Sequence, residues 1–182
     1  MPLAFASAAN AQVVNWVGPA NGDWSDNANW SGGAFPNSTV VDANIGGAFD
    51  VIVGPGITRD VRNLSINAAG SLTISDNSFF DVNNGGLDNA GNINVISTGG
   101  NTQLRFFGVN NITGGGTIVL DGGIIGGSSG PVTNADNLIT GTGNVGNNAI
   151  RFNNEGTVRA QGGTLVLDPA TVVGGPEFFN TG

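Results

Sequence analysis

The chain has 182 residues, 39% of them apolar and only 10% charged, with a net charge of −8 and no Cys, His, Tyr or Lys. That inventory excludes thiol nucleophiles, disulfides, imidazole-based triads and zinc sites, P-loops and Schiff bases, leaving carboxylates, hydroxyls and five arginines for chemistry. Arg59, Arg62, Arg105, Arg151 and Arg159 form no basic run, so neither nucleic acid nor anionic membrane is an expected partner, while the apolar content is too high for a disordered chain.

In chain order, residues 1–11 are short and rich in small residues, and Ala9-Asn10-Ala11 before Gln12 has the A-x-A form of a signal-peptidase site. They read as the remaining tail of a signal peptide. No apolar run approaches the roughly 20 residues of a membrane helix, so no membrane insertion is expected within the chain. Residues 12–44 form a second unit. All three tryptophans fall in the stretch NWVGPANGDWSDNANWSGG, from Asn15 to Gly33. Exposed and coplanar, Trp16, Trp24 and Trp30 would make a stacking platform for sugar rings, with Asn and Asp beside them for hydroxyls, so they are the candidate glycan contacts. Buried, each would remove about 150–250 Å² from water and could close the end of a repetitive fold. The segment's terminal position favours a cap.

From residue 45 onward the pattern is β. Val51–Val53, Leu64–Asn67, Ser71–Ser75, Asn92–Ile96, Thr117–Leu120, Thr157–Ala160 and Thr164–Leu167 are short alternating runs bounded by Gly, Asn or Asp, and no window keeps a 3.6-residue apolar stripe. Several share a phase: a glycine with an apolar residue four before it and apolar residues two and four after it. Gly70, Gly91, Gly116 and Gly156 anchor such phrases, Gly143 does so apart from Asn147 in the last place, and Phe178 to Gly182 begins another. A turn glycine followed by an in–out strand every 20 to 30 residues is what a β-solenoid coil requires. Gly and Asn at the corners would supply positive φ, and equivalent Asn side chains could stack into hydrogen-bonded ladders. The expected fold is all-β: a right-handed parallel β-helix of roughly six coils over 45–182, about 30 Å long, with 12–44 as its N-terminal cap. A sandwich or jelly roll is the alternative. Exposed solenoid ends would be sites of self-association.

Catalytic candidates are sparse. Only two Glu exist, Glu155 and Glu177, and Asp76, Asp121 and Asp168 follow strands, where Asp is an ordinary turn former. The densest charged group, Arg59-Asp60-Val61-Arg62, reads as a local ion pair rather than a lyase base. Asp23 and Asp26 could meet a calcium ion, although Asp26-Asn-Ala-Asn-Trp-Ser breaks EF-hand spacing. Thr140-Gly-Thr142 is a single instance of the Thr-x-Thr spacing of ice-binding faces. No catalytic residue, cofactor or metal is assigned.

The phrases Trp16-Val-Gly, Gly22-Asp-Trp24-Ser-Asp-Asn-Ala-Asn29-Trp30, Phe35-Pro36-Asn and Val40-Val-Asp-Ala-Asn-Ile45 resemble the opening of large exported bacterial β-repeat proteins of the autotransporter-passenger and adhesin type. Asn111–Ile118, Asn137–Gly143 and Phe152–Val158 are similar to their repeats. The Asn-x-Tyr-x-Gly phrase of autotransporter repeats is missing, since the chain has no Tyr. The resemblance implies a non-enzymatic structural or adhesive region of a larger protein, secreted or on the outer cell surface, with a host or matrix glycan or protein as partner. The alternative is a carbohydrate-binding or polysaccharide-degrading β-helix.

Overall fold

The computed structural model describes residues 12–128, 130–171 and 178–181; the signal-peptide reading of residues 1–11, Glu177 and the anchor at Gly182 fall outside them. The chain is a parallel β-solenoid of about six turns. The alternating runs form the strands their composition favours: β1 (Gln12–Asn15), β2 (Asn21–Asp23), β3 (Ser38–Ile45), β4 (Asp50–Val53), β5 (Thr58–Ile66), β6 (Ser71–Ile74), β7 (Phe79–Asn89), β8 (Asn92–Ile96), β9 (Gln103–Phe107), β10 (Asn110–Thr113), β11 (Thr117–Ser128), β12 (Pro131–Asn134), β13 (Leu138–Val145), β14 (Arg151–Asn154), β15 (Thr157–Leu167) and β16 (Phe178–Asn180).

Every paired strand is parallel to its neighbour, and the pairs sort into three ladders along the rod. The first holds β1, β3, β10, β12, β14 and β16 with the C-terminal halves of β5 and β7. The second runs β2, β4, β6 and β8 and then takes the N-terminal halves of β11, β13 and β15. The third stacks the N-terminal halves of β5 and β7, then β9, then the C-terminal halves of β11, β13 and β15. Along the second ladder Gly22, Val51, Leu72, Ile93, Ile118, Ile139 and Val158 are register partners, so successive coils take 29, 21, 21, 25, 21 and 19 residues.

Alternate residues fill a continuous core. Val53, Ile74, Val95 and Leu120 stack behind the first of these columns, and Phe80, Leu104, Ile125 and Val145 line the third ladder, all at most 1% exposed. In the first ladder the column changes character: Ala43, Leu64, Leu87 and Ile112 give way to Asn134, Asn154 and Asn180. Asn134 Nδ2 donates to Asn154 Oδ1 at 2.8 Å, and Asn154 Nδ2 to Asn180 Oδ1 at 2.9 Å. This is the expected Asn ladder, with Asn134 and Asn154 inside the rod, where each amide must find a partner, and Asn180 at its exposed end. Asn89 joins the same interior, donating to Asn137 Oδ1 at 2.9 Å.

The glycine phase is half right. Gly70, Gly91, Gly116 and Gly156 each sit one residue before a second-ladder strand, and the residues two and four after them are in register. None of the four has positive φ. They are glycine because the coils touch there: a Cβ on Gly116 would stand 2.5 Å from the carbonyl oxygens of Asn89 and Gly91, and one on Gly156 would stand 2.6 Å from that of Asn137. Positive φ is found at other corners, including Asn77, Asn84, Asn147 and Asn148. Gly143 is not an equivalent anchor, since it pairs with Gly123 in the third ladder. The residue standing where Gly116 stands one coil earlier is Asn137.

The segment 12–44 is itself the first coil, and its greater length accommodates a 3-10 turn, Asn27–Asn29, capped by Asp26. At the other end, among the described residues, β15 is paired on one side only, and Val166 and Leu167 are 45% and 42% exposed.

Candidate functional site

All three tryptophans point inward, with 4% of Trp16, none of Trp24 and 1% of Trp30 exposed. Trp16 meets Trp30 edge-on at 5.1 Å, Trp30 meets Trp24 at 4.5 Å, and Trp24 packs against Phe80 of the third coil at 4.9 Å. Each indole N–H finds a backbone carbonyl: Trp16 that of Pro19 (3.1 Å), Trp24 that of Pro36 (2.9 Å) and Trp30 that of Trp24 (2.7 Å). Buried aromatics with satisfied N–H groups close the first coil. The rings expose no stacking face, so this geometry provides no exposed coplanar glycan platform.

Arg59, Asp60 and Arg62 do not pair with one another. Arg59 is the register partner of Phe80, at the position that buried Phe80, Leu104 and Ile125 fill in later coils. Its guanidinium turns toward the first coil, lies 4.7 Å over the Phe35 ring and donates to Ser25 Oγ at 2.6 Å. Burial lowers its pKa from the ordinary value. Arg59 thus latches the Trp-rich coil to the next. Arg62 forms a two-pronged pair with Asp42 of the preceding coil, at 2.8 and 2.7 Å. The expected local ion pair is therefore a pair between coils.

The same holds for several other acids. Asp50 accepts from Ser71 Oγ at 2.7 Å, Asp76 accepts from Thr98 N–H and Oγ at 2.9 and 3.0 Å, and Asp136 accepts from the N–H of Gly114 and Gly115. The bonds to Thr98 hold Asp76 below the ordinary carboxylate range. Arg62 does the same to Asp42. Asp23 and Asp26 accept from Ser25 N–H and Ala28 N–H at 2.6 and 2.9 Å and so cap a turn. Among the described residues no three acidic side chains gather as a metal site would need.

The Asp42–Arg62 pair makes a pH prediction. A carboxylate whose folded pKa is depressed contributes stability above its ordinary value of 3.8 and loses it as pH falls through the folded value. Asp42→Asn is therefore expected to flatten the fall in melting temperature between about pH 5 and pH 2, checked by thermal unfolding of both proteins across that range. Asp81 acts with the opposite sign, because burial raises its pKa against the pull of Arg105.

One pair of acids does share a face. Asp60 and Asp81 are register partners on adjacent coils, so their strands lie about 4.8 Å apart, close to the roughly 5 Å carboxylate separation of retaining glycosidases. Asp81, however, is 5% exposed and held by Arg105 Nε and Nη2 at 2.6 and 2.7 Å. The guanidinium that holds it lies over Phe79 at 4.2 Å. A carboxylate covered in this way cannot reach a sugar ring.

Open concave surface lies elsewhere. A groove of about 500 Å³ follows the corner between the second and third ladders, lined by Val119, Asp121, Thr140, Thr142, Gln161 and intervening glycines. Asp121 was readable only as a turn former and Thr140-Gly-Thr142 only as an isolated repeat; Gln161 carried no signal. Proximity of residues about 20 positions apart follows from coil length, which a single strand pattern does not reveal. Compared with family models, curated proteins and solved structures, the chain matches none.

Proposed function

We propose that the chain is a structural or adhesive region of a larger exported bacterial protein, secreted or displayed on the outer cell surface, and not an enzyme. The observation that carries this reading is the use of the charged and amide side chains: Asp42, Asp50, Asp76, Asp81 and Asp136 each bond a residue of the adjoining coil, and Asn134, Asn154 and Asn180 bond along the axis. A rod that uses its polar groups to fasten coil to coil suits load-bearing and display. The A-x-A pattern at Ala9–Ala11 and the phrases resembling exported β-repeat proteins support the location.

The competing reading, a polysaccharide-degrading β-helix, has the register pairing of Asp60 with Asp81 in its favour. Incubation with pectic, alginate and glucan polymers is expected to release neither reducing ends nor unsaturated products, while beads coated with the protein are retained on surfaces bearing matrix glycans or proteins. Turnover abolished by Asp60→Asn would establish the enzyme instead.

A further inference from the structure

From the corner groove we infer that the rod binds a neutral saccharide there, with Asp121 and Gln161, two coils apart, engaging hydroxyls toward the two ends of the ligand; this names a ligand class for the adhesive reading and rests on it. The groove arises from a change in corner length. Gly141 pairs with Ala160 and Gly143 with Leu165, so Gln161 to Thr164 occupy a place that Thr142 alone fills one coil earlier. The added residues form a wall. Gly141, at φ +115°, keeps the floor free of side chains, because a Cβ there would strike the Leu120 carbonyl oxygen.

The polar groups on this surface are oriented by their own partners. Gln161 Oε1 accepts from Arg159 at 3.1 Å and from the buried Thr140 hydroxyl at 3.4 Å, which leaves the Nε2 amide, among the described residues, as two free donors. Thr142 Oγ accepts from Gly122 N–H at 3.2 Å, so its proton is available outward. The exposed Asp121 carboxylate has no side-chain hydrogen bond among the described residues, and it can accept two hydroxyls at once. Val119 adds an apolar patch for C–H surface.

Acceptor, donors, a hydroxyl and an apolar strip in a cleft of this size match a polyhydroxylated ligand. A free carboxylate on a chain of net charge −8 repels anionic sugars. A lone carboxylate is too few hard ligands for a calcium site.

The test is a titration of the isotopically labelled chain with mannotriose, cellotriose, maltotriose and, as the anionic arm, trigalacturonate, followed by amide chemical shifts. The expected result is saturable shifts at Gly122, Gly141 and Gly162 with at least one neutral trisaccharide, weaker shifts with trigalacturonate, and binding weakened roughly tenfold by Asp121→Asn or Gln161→Ala. Asp121 is exposed, so Asp121→Asn retains the wild-type melting temperature. The binding loss of Gln161→Ala, which gives up its bonds to Thr140 and Arg159, is read beside its own melting temperature. The assignment is overturned if no neutral trisaccharide moves these amides, or if the shifts survive both substitutions unchanged. Bead retention separates this outcome from failure of the parent reading. Retention that persists in Asp121→Asn/Gln161→Ala removes the groove and leaves adhesion intact, whereas saccharide binding without retention removes adhesion and leaves the groove.

Discussion

Trp24→Ala is expected to destabilise the fold by about 4 kcal/mol, the cost of deleting a large buried aromatic whose site cannot collapse. Trp24 is fully buried between Trp30 of its own coil and Phe80 of the third. Its removal opens a void that reaches across two coils, and it also leaves the Pro36 carbonyl without its indole donor. Trp30→Ala should behave similarly, since its N–H holds the Trp24 carbonyl at 2.7 Å. Urea unfolding followed by circular dichroism gives the measurement. A variant that unfolds at the wild-type midpoint, or that loses glycan retention without losing stability, would show that the rings serve recognition rather than closure.

Gly91→Ala should cost about 3 kcal/mol, at the upper end of what overpacking usually does. The added Cβ would meet the carbonyl oxygens of Gly70 and Asn67, the latter at 2.5 Å. Both are backbone atoms of the preceding coil, which cannot rotate away as a side chain does. Gly56→Ala is the matched comparison: φ is +72° there and no atom lies within 4 Å of the new Cβ, so only the left-handed backbone penalty of about 1 kcal/mol applies. The two urea midpoints measured side by side separate coil contact from backbone strain. Equal losses would mean that the Gly70 and Asn67 carbonyls give way and that coil contact is not what requires a glycine at 91.

That contrast bears on what could be read before the structure. The positions two and four after Gly70, Gly91, Gly116 and Gly156 were legible because each is a short strand with one face in the core. The position four before them was legible only in part: Leu87 does pair with Ile112, and Phe152 with Phe178, but Ile66 falls out of phase. Ile66 pairs with Asn89 rather than with Leu87, since the first corner of each coil varies in length and shifts the phase by two. Gly143 entered the wrong ladder because Asn137 takes the glycine place in its coil, and a pattern keyed to Gly skips an Asn. Strand β9 lacks a Gly anchor, and nothing marked it as the partner of β7. The buried tryptophans were legible as material for closure, but the Arg59 latch was not: it depends on a first coil of 29 residues, longer than any later one. The groove was hidden for a related reason, since Asp121 and Gln161, two coils apart, line one surface only once the intervening coil is counted.

The column formed by Asn134, Asn154 and Asn180 has a consequence for how the chain finds its alignment. An apolar side chain is nearly indifferent to which apolar side chain lies above it, so a core of Val, Ile and Leu alone permits a strand to slide by two residues and still bury its face. An amide does not. A slip of two would place Asn154 beneath Phe178 instead of Asn180, leaving polar atoms without partners at about 1–3 kcal/mol each. Buried Asn134 and Asn154 therefore act as alignment marks, much as one buried Asn fixes the stagger of a coiled coil, and the coils that carry them are biased toward one stacking.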